Sequence, residues 1–459
     1  MLESITNITL LGFAKSTIAT AKFLLINYPQ IKIKFSEAKA KENFDLKTIE
    51  DFEEQKVIFE FSQQTLDFII SNAQTLVITS PGIPPQNPII IGLKEQNIKI
   101  ITDYDLFCEQ ILKHQQDYIA ITGTNGKTTT TSIVAHILER EALGNIGKPF
   151  MEMSLEEKII QSIEISSFQL FHSELSSIKN NPPKASIYLN LTEDHLDWHK
   201  DMQEYREAKE KLFQSSTTKE NFWILNYDDA EVRNFGLEQN LNNKTKILWF
   251  SVEDNNKNLS GYLEKNILYI DSKPLIDIND LLIVGKHNYS NVLAASLALK
   301  ASGISLEDIQ TKLRSFKAPE HRLEFVKEIN GHKIYNDSKA TNPDSSIKAI
   351  DSFESSIVIL GGKNKNLDLN EFLNYVSKKC HAVVCIGELQ DSIYEHLVNI
   401  GYKNISKAKD LNEALELSIA YGKDNTLPIV LSPASSSFDM FKNYEDRGKQ
   451  FKSLVDTRI

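Results

Sequence analysis

The sequence predicts an α/β protein of three domains, each built on a mostly parallel sheet. Short apolar runs alternate with segments of helical spacing along most of the chain, as in doubly wound sheets. The chain has 459 residues, 41% hydrophobic and 25% charged, which is enough for about three domains of ordinary size. Turns rich in glycine, asparagine and serine follow several predicted strands, where α/β proteins bind their ligands.

The first predicted domain, residues 1–105, opens with an apolar strand at 8–11, a turn at Gly12 and a helix at 16–25. This order is Rossmann-like. Further strands are predicted at 31–35, 57–61 and 76–79. The prolines of the segment 80–85 prevent the last strand from continuing. The turn after the first strand lacks the three glycines of the dinucleotide fingerprint, so it indicates a site for a small nucleotide group or a purely structural domain.

The second predicted domain, residues 106–318, contains the most informative motif, DYIAITGTNGKTTTT at 117–131. A strand that ends in a glycine turn and opens a helix presents N–H groups and a positive dipole end to phosphate. Candidate ATP-binding residues are Gly123, Thr124, Asn125, Gly126, Lys127, Thr128 and Thr129. In this interpretation Lys127 reaches the terminal phosphates and the Thr128 hydroxyl ligates Mg²⁺. The glycine spacing departs from the strict phosphate-loop pattern, and a simple helix cap is the alternative.

The rest of the second domain and the third domain, residues 319–459, continue the alternation, so the C-terminal domain is also predicted to be Rossmann-like. Strands are predicted at 158–165, 185–190, 222–226, 247–251, 333–335, 357–360, 382–386 and 428–431. The segment 255–286 predicts an antiparallel excursion. Between Arg140 and Gly144 the chain passes from helix to turn, and no strand is expected there.

Acidic and polar clusters interrupt this pattern at two strand ends. Glu164 lies between two isoleucines, and its burial would be unusual without a cation, although a strand facing solvent would also explain it. NLTEDHLD at 190–197 places three acids and His195 beyond the next strand. Oxygen and imidazole ligands at that position suit Mg²⁺ beside ATP phosphates, and a helix N-cap is the alternative.

Other polar residues are less specific. Asn288 and Asn291 are three positions apart at the start of a helix and could face one ligand or cap the helix. Lys209 lies in an amphipathic helix, where the pattern alone indicates a solvated lysine. Polar turns that follow predicted strands of the third domain, and are expected to share one rim, lie at 336–342, 361–365 and 432–437.

Composition argues against several other classes of protein. The net charge is −11 with both signs interspersed, which argues against a nucleic-acid partner. Cys108, Cys380 and Cys385 form neither a disulfide framework nor a zinc pattern. The N-terminal sequence is not typical of a signal peptide, and no apolar run approaches the ~20 residues of a membrane-spanning helix. We therefore expect a cytoplasmic protein without membrane insertion, and a monomer.

The order of motifs resembles the Mur ligases, ATP-dependent amide ligases of peptidoglycan synthesis, from end to end. The motifs are TGTNGKT at 122–128, GNIG at 144–147, EISSFQL at 164–170, NLTEDHLD at 190–197, YREAK at 205–209, GKHNYSN at 285–291, HRLE at 321–324, NDSKATNP at 336–343, LGGKNK at 360–365 and SPASSSFDMFKNYEDRGKQF at 432–451. The last is the most selective. Within the family, the chain resembles the members that add D-glutamate to UDP-N-acetylmuramoyl-L-alanine.

The resemblance implies a mechanism in which the substrate carboxylate attacks the γ-phosphate of ATP and the D-glutamate amine then displaces phosphate from the acyl phosphate. It also implies two Mg²⁺ ions, one held by Thr128 and Glu164, the other by His195 and Lys209. A lysine cation cannot ligate a metal, but in this family the matching lysine is carbamylated, which makes it a carboxylate-like ligand.

The resemblance further implies a role for each matching residue. The catalytic set is Lys127, Asn145, His195 and Lys209. The ATP set beyond the phosphate loop is Asn288, Asn291, Arg322, Asp337 and Lys339. The set for the UDP-linked substrate is Phe13, Ala14, Lys15, Ser16, Ser36 and Ser166. The D-glutamate set is Thr341, Lys365, Ser437 and Tyr444. We also expect the C-terminal domain to close over the nucleotide about a hinge near Ala318 and Pro319.

Three alternatives remain open. A folylpolyglutamate-type ligase on the same scaffold is disfavoured by the ending at 437–451. A phosphate-loop ATPase would hydrolyse ATP without an acceptor. A nucleotide-binding homologue with weakened or lost catalysis is favoured only by the segment between Arg140 and Gly144, which is shorter than the family pattern.

Overall fold

The structure is a computed structural model that describes residues 2, 5–72, 74–196, 198–216, 219–363, 369–423 and 425–458. The chain divides into two compact units. Unit 1 comprises Met1–Leu275 and Asn291–Gln310, and unit 2 comprises Ile276–Ser290 and Thr311–Ile459. Three separate sheets of five, nine and six strands confirm the predicted α/β class. The predicted limits at 105/106 and 318/319 remain predictions.

The first sheet of unit 1 is entirely parallel. Its strands are β1 Asn7–Leu11, β2 Lys32–Ser36, β3 Ile58–Glu60, β4 Thr75–Thr79 and β5 Lys99–Ile101. The associated helices are α1 Lys15–Asn27, α2 Leu46–Glu54, α3 Leu66–Ile69, α4 Pro88–Glu95 and α5 Asp103–Lys113. The strand order is β3-β2-β1-β4-β5. β1 is buried at all five positions, and three of its residues, Ile8, Leu10 and Leu11, are apolar.

The second sheet carries the phosphate-loop motif. Its strands are β6 Asp117–Thr122, β7 Ala142–Gly144, β8 Ile160–Glu164, β9 Ala185–Tyr188, β10 Asn221–Asn226, β11 Thr245–Ser251, β12 Gly261–Glu264, β13 Ile267–Ile270 and β14 Lys273–Asp277. The helices are α6 Lys127–Leu138, α7 Ser167–His172, α8 Leu175–Asn180, α9 Met202–Glu210, α10 Ala230–Leu237, α11 Lys286–Ala301 and α12 Leu306–Leu313. The order is β14-β13-β12-β11-β10-β9-β6-β8-β7. β12 and β13 pair antiparallel, which confirms the predicted excursion.

Strand β7 corrects the expectation that no strand lies between Arg140 and Gly144. It pairs parallel with β8, with Leu143 opposite Ile163 and Gly144 opposite Glu164. The preceding helix α6 ends at Leu138, and its cap residue adopts a left-handed conformation that turns the chain early. The three-residue strand is thus enough to bring the GNIG turn beside the end of β8.

Unit 2 contains the third sheet. Its strands are β15 Glu324–Ile329, β16 His332–Asn336, β17 Ile357–Gly361, β18 Ala382–Ile386, β19 Ile405–Lys407 and β20 Ile429–Leu431. Its helices are α13 Pro343–Asp351, α14 Asn370–Lys379, α15 Gln390–Asn399, α16 Leu411–Tyr421 and α17 Tyr444–Asp456. The order is β15-β16-β20-β17-β18-β19. β15 and β16 pair antiparallel, and the turn between them contains Asn330 and Gly331, whose positive φ angles suit a tight hairpin.

The polar turns predicted from the sequence follow the carboxyl ends of parallel strands in each sheet. Those of the second sheet follow β6, β8 and β9, which are neighbours in the order β9-β6-β8. Those of the third follow β16, β20 and β17, which are also neighbours. Across the described ranges, no helix is both long and apolar enough to pass through a membrane.

Candidate active site

The candidate phosphate loop joins β6 to α6. Gly123 and Gly126 have φ angles of 147° and 84°, which residues with a side chain rarely adopt. Gly126 is the N-cap of α6, so the first N–H groups of that helix face the loop. The ammonium group of Lys127 donates to the carbonyl oxygens of Gly123 and Thr124, both at 2.8 Å. The loop therefore combines helix N–H groups with a cation, which is a site for an anion.

Neighbouring segments fix the shape of this loop. The N–H groups of Thr124 and Asn125 donate to the backbone oxygen and Oδ1 of Asn190, at 3.0 and 2.7 Å. The Thr124 hydroxyl accepts from Thr192 N–H at 3.0 Å and lies 3.1 Å from the Tyr205 hydroxyl. The end of β9 and helix α9 thus both hold the loop in one conformation.

Gly126 offers a direct test of the loop. A Cβ atom at this position would lie 2.5 Å from Oδ1 of Asn291 and would also occupy a left-handed conformation. We expect Gly126→Ala to lower the free energy of unfolding by about 2 kcal/mol and to weaken ATP binding strongly. Gly303→Ala is the matched control, since its φ is 96° but no atom lies within 4 Å of the added methyl group. Titration calorimetry with ATP should separate them; equal ATP affinity in the two variants would contradict the account.

Glu164 ends β8 and is only 1% exposed. Its Oε1 accepts from Nδ2 of Asn145 at 2.7 Å, whereas its buried Oε2 has no hydrogen-bond partner within the described part of the chain. β8 lies between β6 and β7, so the alternative of a solvent-facing strand is wrong. A buried carboxylate with one unsatisfied oxygen is costly unless a cation or donor binds it. The donor set at this point therefore fits a metal ion.

Lys209 lies on α9 and is also only 1% exposed, so the solvated lysine indicated by the helical pattern is wrong. Its Nζ donates to the Gly123 carbonyl at 2.9 Å and lies 4.5 Å from the centre of the Tyr205 ring. Burial, followed by the nearby charge of Lys127, lowers the pKa of Lys209 well below its ordinary value. Beside the phosphate loop the structure thus holds an amine whose neutral form is more accessible than that of a lysine in water.

His195 lies in the turn after β9, and its side chain is partly exposed. The ring centre is 4.7 Å from that of Phe168 and 6.0 Å from that of Tyr205. Its Nε2 is 3.5 Å from Oδ2 of Asp194. His195 and Lys209 therefore approach the same tyrosine ring. Asp197 lies outside the described residues, and no group of three or more His, Cys, Asp or Glu side chains suited to a metal occurs among those that are described.

The two asparagines of α11 belong to different units. Asn291, in unit 1, lies against Gly126 of the phosphate loop and is buried. Asn288, in unit 2, is also buried and donates through Nδ2 to the Val284 carbonyl at 2.8 Å. The structure therefore brings Asn291 to the loop, whereas Asn288 makes a local contact with the carbonyl four positions before it. Thr128, the second residue of α6, is half-buried.

The candidate residues for the UDP-linked substrate vary in accessibility. Ser36 is fully buried and its hydroxyl donates to Oε2 of Glu60 at 2.9 Å. The ring of Phe13 packs among the rings of Phe35, Phe44, Phe52 and Phe59. At the start of α1, Ala14 and Ser16 are half-buried and Lys15 is exposed. Ser166 caps α7, its hydroxyl accepting from Gln169 N–H at 3.3 Å.

Sequence reasoning missed Glu37, which follows β2. Its Oε2 accepts from Phe13 N–H at 2.7 Å and its Oε1 from Lys39 N–H at 2.9 Å. This carboxylate therefore holds the turn that follows β1. The signal that could have revealed it is an acid at the carboxyl end of the second strand of a Rossmann-like unit.

In unit 2, Asp337 is the most constrained candidate. Its Oδ1 accepts from Leu323 N–H at 3.0 Å and its Oδ2 from the Ser432 hydroxyl at 2.8 Å. Burial raises the pKa of Asp337 to about 7. The Lys339 ammonium group lies 5.4 Å from the centre of the Tyr444 ring. Of the other candidates, Arg322 is exposed, Thr341 is half-buried, Ser437 is buried, and Lys365 lies outside the described residues.

Sequence reasoning also missed Arg447, which is fully buried on α17. Its guanidinium donates to the carbonyl oxygens of Ser338 at 2.8 Å and Ser435 at 3.1 Å, and its Nε donates to the Ser338 hydroxyl at 2.9 Å. Arg447 thus ties the turn after β16 to the turn after β20. Its partners are backbone carbonyl groups and the hydroxyl of a serine, so no residue pattern predicts these contacts.

This role of Arg447 predicts a large loss of stability. Arg447→Met keeps much of the volume but leaves buried carbonyl groups without a donor, so we expect about 3 kcal/mol of destabilisation in urea unfolding. Arg458→Met is the control, because Arg458 pairs with Glu416 at the surface and should contribute less than about 1 kcal/mol. Similar losses in the two variants would contradict the role.

The chain is similar to known proteins over most of its length. The family model described as Mur ligase middle domain matches residues 121–299, and the model described as Mur ligase, glutamate ligase domain matches residues 321–433. The UDP-N-acetylmuramoylalanine--D-glutamate ligase of Clostridioides difficile is 37% identical over 471 residues, covering 98% of both chains. The protein of the same name from Alkaliphilus metalliredigens is 39% identical over 396 residues, covering 83% of each.

Solved structures show similarity of fold. Crystal structure II of MurF from Acinetobacter baumannii has a TM-score of 0.59 at 15% identity, covering 99% of this chain and 94% of that one. The structure of UDP-N-acetylmuramate-alanine ligase MurC from Thermotoga maritima has a TM-score of 0.52 at 18% identity, covering 98% and 99%. At these identities the similarity concerns the fold alone.

Proposed function

Because this chain belongs to the Mur ligase family, we propose that it is an ATP-dependent ligase that joins D-glutamate to UDP-N-acetylmuramoyl-L-alanine in peptidoglycan precursor synthesis. We choose these substrates because relatives named UDP-N-acetylmuramoylalanine--D-glutamate ligase match 98% of the chain. The observation that carries the chemistry is the phosphate loop flanked by a buried, half-satisfied Glu164 and a buried Lys209.

The proposed reaction has two steps. An oxygen of the alanyl carboxylate forms a bond to the γ-phosphorus of ATP while the bond to the β–γ bridging oxygen breaks, which releases ADP. The D-glutamate nitrogen then bonds to the acyl carbon, loses a proton and expels phosphate. Both substrates of the first step are anions, so their approach needs positive charge. Lys127 and the N–H groups of α6 supply it from the protein, and they stabilise the phosphoryl group as it transfers.

The residues present fit metal ions, since the buried Oε2 of Glu164 has no hydrogen-bond partner among the described residues. Thr128 and Glu164 would hold one Mg²⁺ ion, and His195 and carbamylated Lys209 the second. Bound Mg²⁺ neutralises phosphate charge and orients the transferring group. Asn145 holds Oε1 of Glu164 at 2.7 Å, so we assign it the orientation of this carboxylate as well as a place near the acyl group.

Carbamylation of Lys209 is consistent with its surroundings. The neutral amine is the form that attacks carbon dioxide, and burial lowers the pKa of Lys209. A nitrogen–carbon bond forms and the amine loses a proton, so the product carries one negative charge. The conversion places an anion close to the ammonium group of Lys127, and the attraction between the two charges stabilises the product.

The remaining assignments stay proposals. Asn288, Asn291, Arg322, Asp337 and Lys339 would contact ATP. Phe13, Ala14, Lys15, Ser16, Ser36 and Ser166 would contact the UDP-linked substrate. Thr341, Lys365, Ser437 and Tyr444 would contact D-glutamate. The substrates are small molecules, and we propose a cytoplasmic monomer that closes about 318–319 when they bind. Identical structures with and without substrates would contradict the closure.

A phosphate-release assay tests the proposed function. The protein is supplied with ATP, Mg²⁺ and UDP-N-acetylmuramoyl-L-alanine, and then with D-glutamate, L-glutamate, L-lysine or no amino acid. We expect release only with D-glutamate, and none after chelation of Mg²⁺. Release without an acceptor would support an ATPase, and release with a folate in place of the UDP-linked substrate would support a folylpolyglutamate-type ligase. ATP binding without any release would support a homologue that has lost catalysis.

A further inference from the structure

His199 lies where three segments of the proposed active site meet, all within unit 1. Its side chain is completely buried. Its N–H donates to the carbonyl of His195 at 2.9 Å, which closes the turn after β9. Its ring centre is 5.7 Å from that of Phe168 on α7 and 5.3 Å from that of Tyr205 on α9. One residue therefore contacts the turn through its backbone and both helices through its ring.

Each of the two ring nitrogens makes one polar contact. Nε2 lies 3.0 Å from the hydroxyl oxygen of Ser167, the first residue of α7 and three positions after Glu164. Nδ1 lies 3.4 Å from Oε2 of Glu204, which is on the helix that carries Lys209. The second distance is that of an electrostatic contact and not of a good hydrogen bond. A carboxylate only accepts, so a proton on Nδ1 faces Glu204 and leaves Nε2 to accept from Ser167.

The geometry points to His199 as a positioning residue that holds the Glu164 end of β8 and helix α9 at a fixed separation, through Ser167 and Glu204. This inference rests on the proposed function, because it matters only if Glu164 and Lys209 face the same nucleotide and its metal ions. Residues behind metal ligands set the ligand positions, and their loss typically lowers metal affinity by about 10- to 100-fold.

His172 is a matched control in the same aromatic cluster. It is buried on α7 and packs against Phe171 and Trp198, as His199 does. Its Nε2, however, lies 3.2 Å from the carbonyl of Ile83 and not beside α9. Replacing either histidine with phenylalanine keeps an aromatic ring in the cluster, but only His199→Phe removes the polar contacts with Ser167 and Glu204.

The test measures binding of the non-hydrolysable β,γ-methylene analogue of ATP by calorimetry, with and without Mg²⁺. We expect His199→Phe to weaken binding about 10-fold in Mg²⁺ and to leave metal-free binding unchanged. Ser167→Ala should do the same, and the double variant should be no weaker than the weaker single variant, because both remove one connection. His199→Gln, which keeps a donor and an acceptor, should recover most of the affinity. His172→Phe should bind as the unchanged protein does.

Several outcomes would overturn the inference. One is a His199→Phe variant with full affinity in Mg²⁺, and another is an equal loss with and without the metal, which indicates general damage. If His199→Phe does not fold, Ser167→Ala and His199→Gln decide the matter, and an unchanged affinity in Ser167→Ala contradicts the proposed connection. The assay needs neither acyl substrate nor turnover. Failure of ligation in the unchanged protein therefore counts against the proposed function and not against this inference.

Discussion

Lys127→Ala is expected to lower the rate of phosphate release by about 10³-fold. The Lys127 ammonium group lies against the loop carbonyls, at the first residue of α6, where it is placed to meet a terminal phosphate. Its loss removes positive charge that is needed most when the phosphoryl group transfers between two anions. Steady-state rates at saturating ATP measure this effect directly.

Lys333→Ala controls for the loss of a lysine as such, because Lys333 is exposed on β16. It should keep the rate of the unchanged protein. Thermal unfolding of Lys127→Ala should remain close to that of the unchanged protein, since the lost contacts are local. A Lys127→Ala variant that turns over within about 10-fold of the unchanged rate would exclude Lys127 from phosphoryl transfer.

Lys209→Ala is expected to lower the rate at least about 10²-fold, and added acetate or propionate should restore part of it. The physical reason is specific to a carbamate. The substitution empties a buried space beside the Gly123 carbonyl, and a small carboxylate that enters it supplies the oxygen ligands that the carbamate would supply. Rates are measured against carboxylate concentration, with chloride at the same ionic strength as the comparison.

Lys211→Ala is the matched control for this rescue. Lys211 follows the last residue of α9, and its ammonium group donates to the carbonyls of Leu170 and Phe171 on α7 at 3.2 and 2.5 Å. Its loss should reduce stability, and carboxylates should not restore any lost rate. A Lys209→Ala variant that retains full rate without an additive would show that the carbamate role is wrong.

The sequence pattern predicts the long buried strands well, because strands covered on both faces are continuous apolar runs. β17 and β18 are examples, with every residue buried. The three-residue strands β5, β7 and β19 were not predicted, because so few residues show no period. β3 and β20 are equally short, but each lies inside a longer run that was predicted. The six-residue strand β15 was also missed, since it is mostly half-buried and three of its residues are charged. β7 has room to form because α6 ends at Leu138 and the next residue, Glu139, turns the chain in a left-handed conformation. The residues 139–144 do not predict where that helix ends.

Some residues of the candidate site could likewise be predicted from the sequence and others could not. The phosphate loop is local in sequence, so its glycines and Lys127 could be identified from spacing and context. The carbonyl that accepts from buried Lys209 lies 86 positions away in the sequence. Helical spacing alone places that lysine in solvent. Glu37 and Arg447 bind mainly backbone groups, which leave no signature in the residues they contact. Family resemblance supplied the role of Lys209 where pattern could not.

Transfer of oxygen-18 is the measurement that tests ligation through an acyl phosphate most directly. UDP-N-acetylmuramoyl-L-alanine labelled at both carboxylate oxygens is turned over with ATP, Mg²⁺ and D-glutamate, and the phosphate is examined by mass spectrometry. The account predicts that each phosphate carries one labelled oxygen and that the new amide keeps the other. Amide formation with unlabelled phosphate would contradict the acyl phosphate, and phosphate release without amide would contradict ligation.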